Sequence, residues 1–479
     1  MGAAPVEAGW QVGLIPDLFR EKPNRLSRMN RDIAGLRCAQ HQPARSFGGR
    51  LTHARQSNAA ARVILAAEDF RFELAEGKPS VIIDLSSAPL HPPTRVLLGP
   101  GPSELDPEVL RAMTLPPLGY VDPAMLQIFD ELKVLLREAF QTTNDFAIAL
   151  SGTGTAGMQS ALCNAIEPGD AVVIGTMGYF GERLAAMAER LGAKVTRVEA
   201  QWGTPLDADR MRDIIRKVRP RVVGVVHGET STGVAQNDIA DIAVAAHEVD
   251  ALLIADTVAS LGGHPIDIDA AGIDVCYSGS QKALGAPSGM APLTLNERAM
   301  ERVRTRKSPV SSFYLDVPAL KKYWYEGQYH HTISAPLVYA LRAALLGLHN
   351  EGCERRWARH ERNFAAFRAG IEALGLKILA APEHSLHTVA GVLLPVAVDA
   401  GDVRKALLDG FRIEVATGLG PFKSHMLRVG LMAYGSQPHF VLRLLAALED
   451  VLRARGHAFE TGAGLAAAQR CWQSREIST

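Results

Sequence analysis

Residues 251–263 read ALLIADTVASLGG, and this stretch decides the fold. Five apolar residues run without alternation, which suits a strand buried on both faces of a parallel sheet. The run delivers Asp256 and then dissolves into small residues and two glycines. Residues 273–282, IDVCYSGSQK, repeat the arrangement with Lys282 just past a short apolar run. A carboxylate and a lysine are therefore expected at the carboxyl ends of neighbouring strands, where open α/β sheets bind their ligands.

The same alternation extends in both directions. Apolar runs at 146–150, 171–174, 194–198, 221–226 and 291–295 read as further strands, and 158–166 and 181–191 carry helical spacing. A large, mainly parallel, doubly wound α/β domain over residues 94–351 follows. Beyond Gly352 the pattern changes to a long helix at 357–374, strands at 377–380, 388–394, 412–416 and 426–431, and helices at 403–408 and 440–453. Residues 352–457 are expected to form a smaller C-terminal α+β domain, and 458–479 a loose tail.

Residues 1–93 do not fit this pattern. Between 18 and 62 there are ten basic residues opposed only by Glu21 and Asp32, with weak apolar periodicity. A nucleic-acid or membrane-surface arm and an organelle transit segment are the functional readings, and a poorly ordered basic extension is favoured over both. Residues 81–85 are expected as one short strand.

Over the whole 479 residues, 51 Lys and Arg balance 51 Asp and Glu, which argues against a polyanion-binding protein. No nucleic-acid partner is expected. Five cysteines (Cys38, Cys163, Cys276, Cys353 and Cys471) stand far apart, with no CxxC or Cys/His cluster. Neither a disulfide framework nor a metal site is expected. No apolar stretch reaches the roughly 20 residues of a membrane span. A soluble, cytoplasmic protein of a reducing compartment follows.

GTGTAG at 152–157 matches G-x-G-x-x-G between a strand and a helix. A dinucleotide site needs an acidic residue at the end of the next strand, and GTMG (175–178) stands there instead. Two readings survive: a phosphate cradle at a helix N-terminus, or a tight strand-to-helix turn. Asp256 and Lys282 in turn could simply pair with each other. Pyridoxal phosphate gives all three features a role. Its aldehyde takes a lysine, its ring nitrogen an acid, and its phosphate a dipole-rich cradle. Tyr179 and Phe180 are available to stack on its ring, and Ser231 and Thr232 to bind its hydroxyl.

These stretches resemble the class V, fold-type I aminotransferases, and within them the alanine-glyoxylate and serine-pyruvate branch. The matching segments are LLGPGPS (97–103), SGTG (151–154), EPGD (167–170), HGETSTG (227–233), DTVASLGG (256–263), YSGSQKAL (277–284), YHHT (329–332), GLGP (418–421) and LRVG (427–430). They span about residues 94–457 in order. The resemblance implies that Lys282 links to the cofactor and shuttles the proton between the substrate Cα and the cofactor. Asp256 would pair with the ring nitrogen, Val258 would pack on one ring face, and Phe180 would stack on it. Thr153, Gly154, Thr155 and Gln281 would bind the phosphate, and Ser231 the ring hydroxyl or a neighbouring atom. Tyr329 and Thr332 would reach the phosphate of a partner subunit, making a homodimer with shared active sites. Arg428 would clamp the substrate carboxylate, with Gly101 and Tyr120 shaping the pocket. Several relatives carry Trp where Phe180 stands and His where Thr155 stands.

The resemblance further implies a small-molecule amino acid and a 2-oxo acid as substrates. Alanine or serine would donate to glyoxylate or pyruvate by a ping-pong mechanism. Donors such as 2-aminoethylphosphonate, ureidoglycine or pyridoxamine are the alternative on the same fold. Cysteine desulfuration is disfavoured, because Cys353 and Cys471 fall in a helix and in the expected tail. A non-catalytic DNA-binding module is disfavoured by the absence of a helix-turn-helix pattern in residues 1–93.

Overall fold

A computed structural model describes residues 62–66, 69–73 and 91–476. Two short strands near the N-terminus, β1 (Arg62–Ala66) and β2 (Asp69–Glu73), pair antiparallel as a hairpin of their own. That hairpin was not foreseen inside the basic extension. The strand expected at 81–85 lies outside the described residues, as does most of the extension.

Strand β3 (Val96–Leu97) opens the main unit. The central sheet is built from β4 (Phe146–Ser151), β5 (Ala171–Thr176), β6 (Lys194–Glu199), β7 (Val222–Val226), β10 (Leu252–Asp256), β11 (Val275–Tyr277) and β12 (Met290–Leu295). Its order is β4-β12-β11-β10-β7-β5-β6. Strands β6, β5, β7, β10 and β11 run parallel, and β12 alone is antiparallel to its neighbours. Every residue of β7, β10, β11 and β12 is buried, as continuous apolar runs demand. Between β7 and β10 lie the short strands β8 (Gly228–Glu229) and β9 (Val234–Ala235), an antiparallel pair.

Helices cover the sheet, and several carry their own stop and start signals. Asp122 caps the helix Pro123–Phe140 by accepting from Ala124 N–H, with Pro at its first position and Gln141 left-handed at its end. Asp207 caps Ala208–Val218 in the same way. Gly352 separates Ala335–Glu351 from the long helix Cys353–Ala373.

A second core gathers around a four-stranded sheet of β13 (Lys377–Ile378), β14 (Val389–Leu393), β16 (Ala416–Thr417) and β17 (Met426–Gly430). Two expectations need correction here. The strand expected over 412–416 is divided. β15 (Ile413–Glu414) pairs in parallel with β3, and β16 joins β17 instead. The chain thus crosses from one sheet to another at Val415, and Val96 and Leu98 belong to this second core although they come from the other end of the unit. The loose tail is in fact the helix Ala463–Glu476. Glu449 anchors its start by accepting from Gly462 N–H (2.8 Å) and Gly464 N–H (3.1 Å), and Ala468 is fully buried with Leu465 and Trp472 packed alongside. A sequence window of small residues hid this, because the partner supplying the cap lies 13 residues earlier.

Candidate active site

The parallel strands bring their carboxyl ends to one edge, so Ser151, Thr176, Val226, Asp256 and Tyr277 end along the same rim. Asp256 is 2% exposed. One carboxylate oxygen accepts from Val258 N–H at 2.8 Å and the other from Tyr277 O–H at 2.8 Å. Burial pushes its carboxyl up to about 6, against the pull of these two donors. The tether to Val258 fixes that side chain too, and its methyls abut Gly154.

Lys282 lies beyond the end of β11, with its amine donating to the carbonyl of Pro100. Burial, and then the charge of Arg428, bring its amine down to about 8, while Asp256 acts in the opposite sense. Gly101 sits against it at φ +116°, a conformation that favours glycine. These residues open onto a pocket of about 350 Å³ lined also by Phe180, Arg183, Thr230, Glu414, Leu419 and Arg428. Arg428 projects from β17 with its Nε on the Thr417 carbonyl at 2.9 Å. Burial lowers it to about 10, and Glu229 opposes that shift.

Thr153 precedes the helix Gly154–Ala165, and its hydroxyl makes no capping bond. A second helix, Tyr179–Arg190, begins beside it and carries Phe180 into the pocket wall. Glu229, fully buried, accepts from Phe180 N–H (3.1 Å), Gly181 N–H (3.3 Å), Ser231 N–H (3.0 Å) and Ser231 O–H (2.6 Å). It therefore caps that helix from outside it, a favourable place for negative charge.

The chain can be compared with known proteins at this point. Residues 121–438 match the family described as aminotransferase class-V. The chain belongs to the class-V aminotransferases. It is 40% identical over 395 residues to the (S)-ureidoglycine–glyoxylate transaminase of Bacillus subtilis, covering 78% of this chain and 95% of that one. The alanine–glyoxylate aminotransferase of Drosophila melanogaster is 38% identical over 371 residues, covering 76% and 94%. A crystal structure of an alanine–glyoxylate aminotransferase from Nostoc sp. aligns with a TM-score of 0.76 at 44% identity, covering 77% and 98%.

Class-V aminotransferases depend on pyridoxal phosphate, and the residues present fit it. Gln281 Oε1 is buried without a hydrogen-bond partner. A Cβ on Gly279 would lie 3.0 Å from that oxygen and 3.4 Å from Gly154 N, so the amide and the helix N-terminus face one small space. Turning the amide over presents its NH₂ to that space, an exchange that heavy-atom positions leave open. A Cβ on Gly154 would meet Val258 Cγ2 at 2.8 Å, so no larger residue fits between the helix and that valine. A lysine, a buried acid, an aromatic side chain and an uncapped helix start are the kinds of group the cofactor requires.

The other expected residues fall less simply. Ser231 is fully buried, spends its proton on Glu229 and accepts from Tyr179 N–H at 3.0 Å, while Thr230 lines the pocket. Thr155 accepts from Arg183 Nη1 at 3.2 Å. Tyr120 does not line the pocket of its own chain but packs on Tyr329, ring centroids 4.8 Å apart. Tyr329 is 61% exposed, and Thr332 is exposed as well.

Sequence reasoning missed Tyr277, Glu229 and Arg183. Tyr277 and Glu229 stood inside quoted motifs, but their partners are 21 and 49 residues away. Arg183 has a weak signal, three residues after Phe180 on one helix face. Among the described residues, no helix is long and apolar enough to cross a membrane, and no cluster of three or more His, Cys, Asp or Glu is arranged to hold a metal ion.

Proposed function

We propose that this enzyme moves the amino group of a small L-amino acid, alanine or serine, to glyoxylate or pyruvate in ping-pong fashion. The observation that carries this reading is the 350 Å³ pocket, whose lining brings Arg428 and Lys282 together with Pro100, Gly101, Val415, Ala416 and Leu419. One arginine suits one carboxylate, held by its planar fork. The cavity is small, and Gly99, Pro100, Gly101, Val415 and Ala416 leave room on one part of its wall for a short side chain. The names of the Drosophila and Nostoc relatives agree with that choice.

Bound, pyridoxal phosphate supplies an electron sink for the bond broken at the donor's α-carbon. Asp256, held in place by Val258 and Tyr277, keeps a proton on the ring nitrogen. Lys282 would hold and move the proton at the donor's α-carbon, a task that suits an amine brought near 8. Phe180 and Val258 would hold the ring. Thr153, Gly154, Thr155 and Gln281 would receive the phosphate, and Ser231 braces Glu229 and the helix that carries Phe180.

The exposed Tyr329 and Thr332 are proposed to complete the cradle of a second copy in a homodimer, since both stand clear of their own pocket. A cytoplasmic location is proposed on the unbridged Cys163, Cys276, Cys353 and Cys471.

A second reading, with ureidoglycine as donor, has support in the Bacillus relative and in Thr230 and Glu414, polar groups on the pocket wall that suit a ureido group. Visible absorption spectroscopy of the purified enzyme separates the two, with Lys282→Ala as control. Bleaching by L-alanine or L-serine, reversed by glyoxylate, is the expected result. Bleaching by ureidoglycine or 2-aminoethylphosphonate with no response to alanine or serine would overturn it.

A further inference from the structure

The residues assigned to the cofactor phosphate are all uncharged: Thr153, Gly154, Thr155 and Gln281, with Tyr329 and Thr332 from a second copy. A phosphate monoester carries about −1.5 to −2 charges at neutral pH. Backbone dipoles at one helix start are equivalent to only about half a positive charge. Beside the buried Gly154, between the exposed Thr153 and Thr155, the balance calls for a cation.

The pocket holds three cations, and two are committed elsewhere. Lys282 takes the aldehyde end of the cofactor. Arg428 projects from β17 of the second core, tied to Thr417. The third is Arg183, one turn into the helix Tyr179–Arg190. Its Nη1 donates to Thr155 Oγ1 at 3.2 Å, on the first turn of the cradle helix. Its guanidinium lies 4.8 Å from the ring centroid of Phe180 and 5.1 Å from that of Tyr179. Among the described residues, no carboxylate lies within ion-pair distance of it. The helix that carries it is itself fixed by Glu229, so the cation is held by two aromatic rings, a threonine and a capped helix. Its charge is felt at Lys282, after the larger effects of burial and Arg428.

We propose that Arg183 is the cationic partner of the cofactor phosphate, bridging the cradle helix at Thr155 to the helix that carries the ring-stacking Phe180. The inference rests on the cradle at Thr153–Thr155 proposed above. It makes cofactor retention, and the charge state of the bound phosphate, a property of a residue outside the cradle itself.

The test compares pyridoxal phosphate with pyridoxal, which lacks the phosphate. Both are titrated into apoenzyme and followed by quenching of tryptophan fluorescence, for wild type, Arg183→Ala, Arg183→Lys and Thr153→Ala. Losing a hydrogen-bonded charge partner should weaken pyridoxal phosphate about 10- to 100-fold in Arg183→Ala and leave pyridoxal within about 3-fold, with partial recovery in Arg183→Lys. The ³¹P resonance of the bound cofactor should be independent of pH in wild type and should titrate in Arg183→Ala. Equal weakening of both ligands would make Arg183 a prop for Phe180 and overturn the proposal. Unchanged affinity in Arg183→Ala together with a selective loss in Thr153→Ala would overturn it while leaving the cradle intact. A selective loss in neither variant would remove the cradle reading as well.

Discussion

Gly101 and Lys282 fit each other with no space left between them: a Cβ on residue 101 would lie 2.5 Å from the lysine amine and 2.6 Å from its Cδ. The position of the reactive amine is therefore set by a glycine 181 residues earlier in the chain, whose φ of +116° suits no residue with a side chain. Gly101→Ala should displace Lys282 and cost the cofactor's covalent attachment. Its visible absorption band should disappear while circular dichroism stays native. An unchanged band would mean that the loop 99–102 yields easily.

The lowered lysine has a consequence for pH. With its amine near 8, roughly a tenth of Lys282 is neutral at pH 7, against roughly 0.03% for an ordinary lysine. Only the neutral amine attacks the aldehyde. The rate of cofactor capture by apoenzyme should rise with pH and level off above about 8. The negative charge of Asp256 raises the lysine, so Asp256→Asn should move this midpoint down. Stopped-flow absorption across that range reads both, and a midpoint near 10 would contradict the buried placement.

Glu229 binds three backbone N–H groups and one hydroxyl from a fully buried position. Glu229→Ala should destabilise the protein by about 1–3 kcal/mol, because buried N–H groups and a hydroxyl lose their acceptor. Burial raises the Glu229 pKa, so the folded chain holds its proton to a higher pH than the unfolded one. Wild-type stability then falls as pH rises from the unfolded value through the folded one. The gap between wild type and Glu229→Ala should be widest in acid and narrow with rising pH. Urea unfolding at several pH values gives the sign, and a gap that widens with pH would mean an ionised, well-compensated carboxylate.

The terminal helix Ala463–Glu476 closes the second core. Removing residues 458–479 should uncover the apolar surface that Leu465, Ala468 and Trp472 cover, at about 2–4 kcal/mol. A lower urea midpoint is expected, and Glu449→Ala should reproduce part of the loss by releasing the Gly462 and Gly464 N–H groups. An unchanged midpoint would mean that the helix only rests on the surface.

Arg428 offers a clean separation of roles. Arg428→Ala should raise KM for both amino donor and oxo acceptor by about 30- to 100-fold, the cost of leaving a substrate carboxylate without its charged partner. Cofactor affinity should stay unchanged. Steady-state kinetics alongside a cofactor titration would show a different role if the two fell together.

Much of this protein was legible in its sequence, for a physical reason. A strand buried on both faces needs a continuous apolar run, so 146–150, 171–174, 251–255 and 291–295 each marked a strand of the central sheet. Chemistry placed just past such a run lands on the sheet rim, so Asp256 and Lys282 could be paired before any coordinates. Local signals were blind wherever the deciding partner is distant. The segment around 412–416 is apolar enough for one strand, yet two different neighbours, β3 and β17, divide it. The terminal helix depends on a carboxylate from Glu449, and the carboxylate of Asp256 on a hydroxyl from Tyr277. Arg183 reads as an ordinary helix-surface arginine until Thr155 and two aromatic rings are placed around it. Periodicity records which face of an element is buried. Which side chains then meet there is decided by the crossing of elements far apart in the chain, and only the tertiary structure contains that.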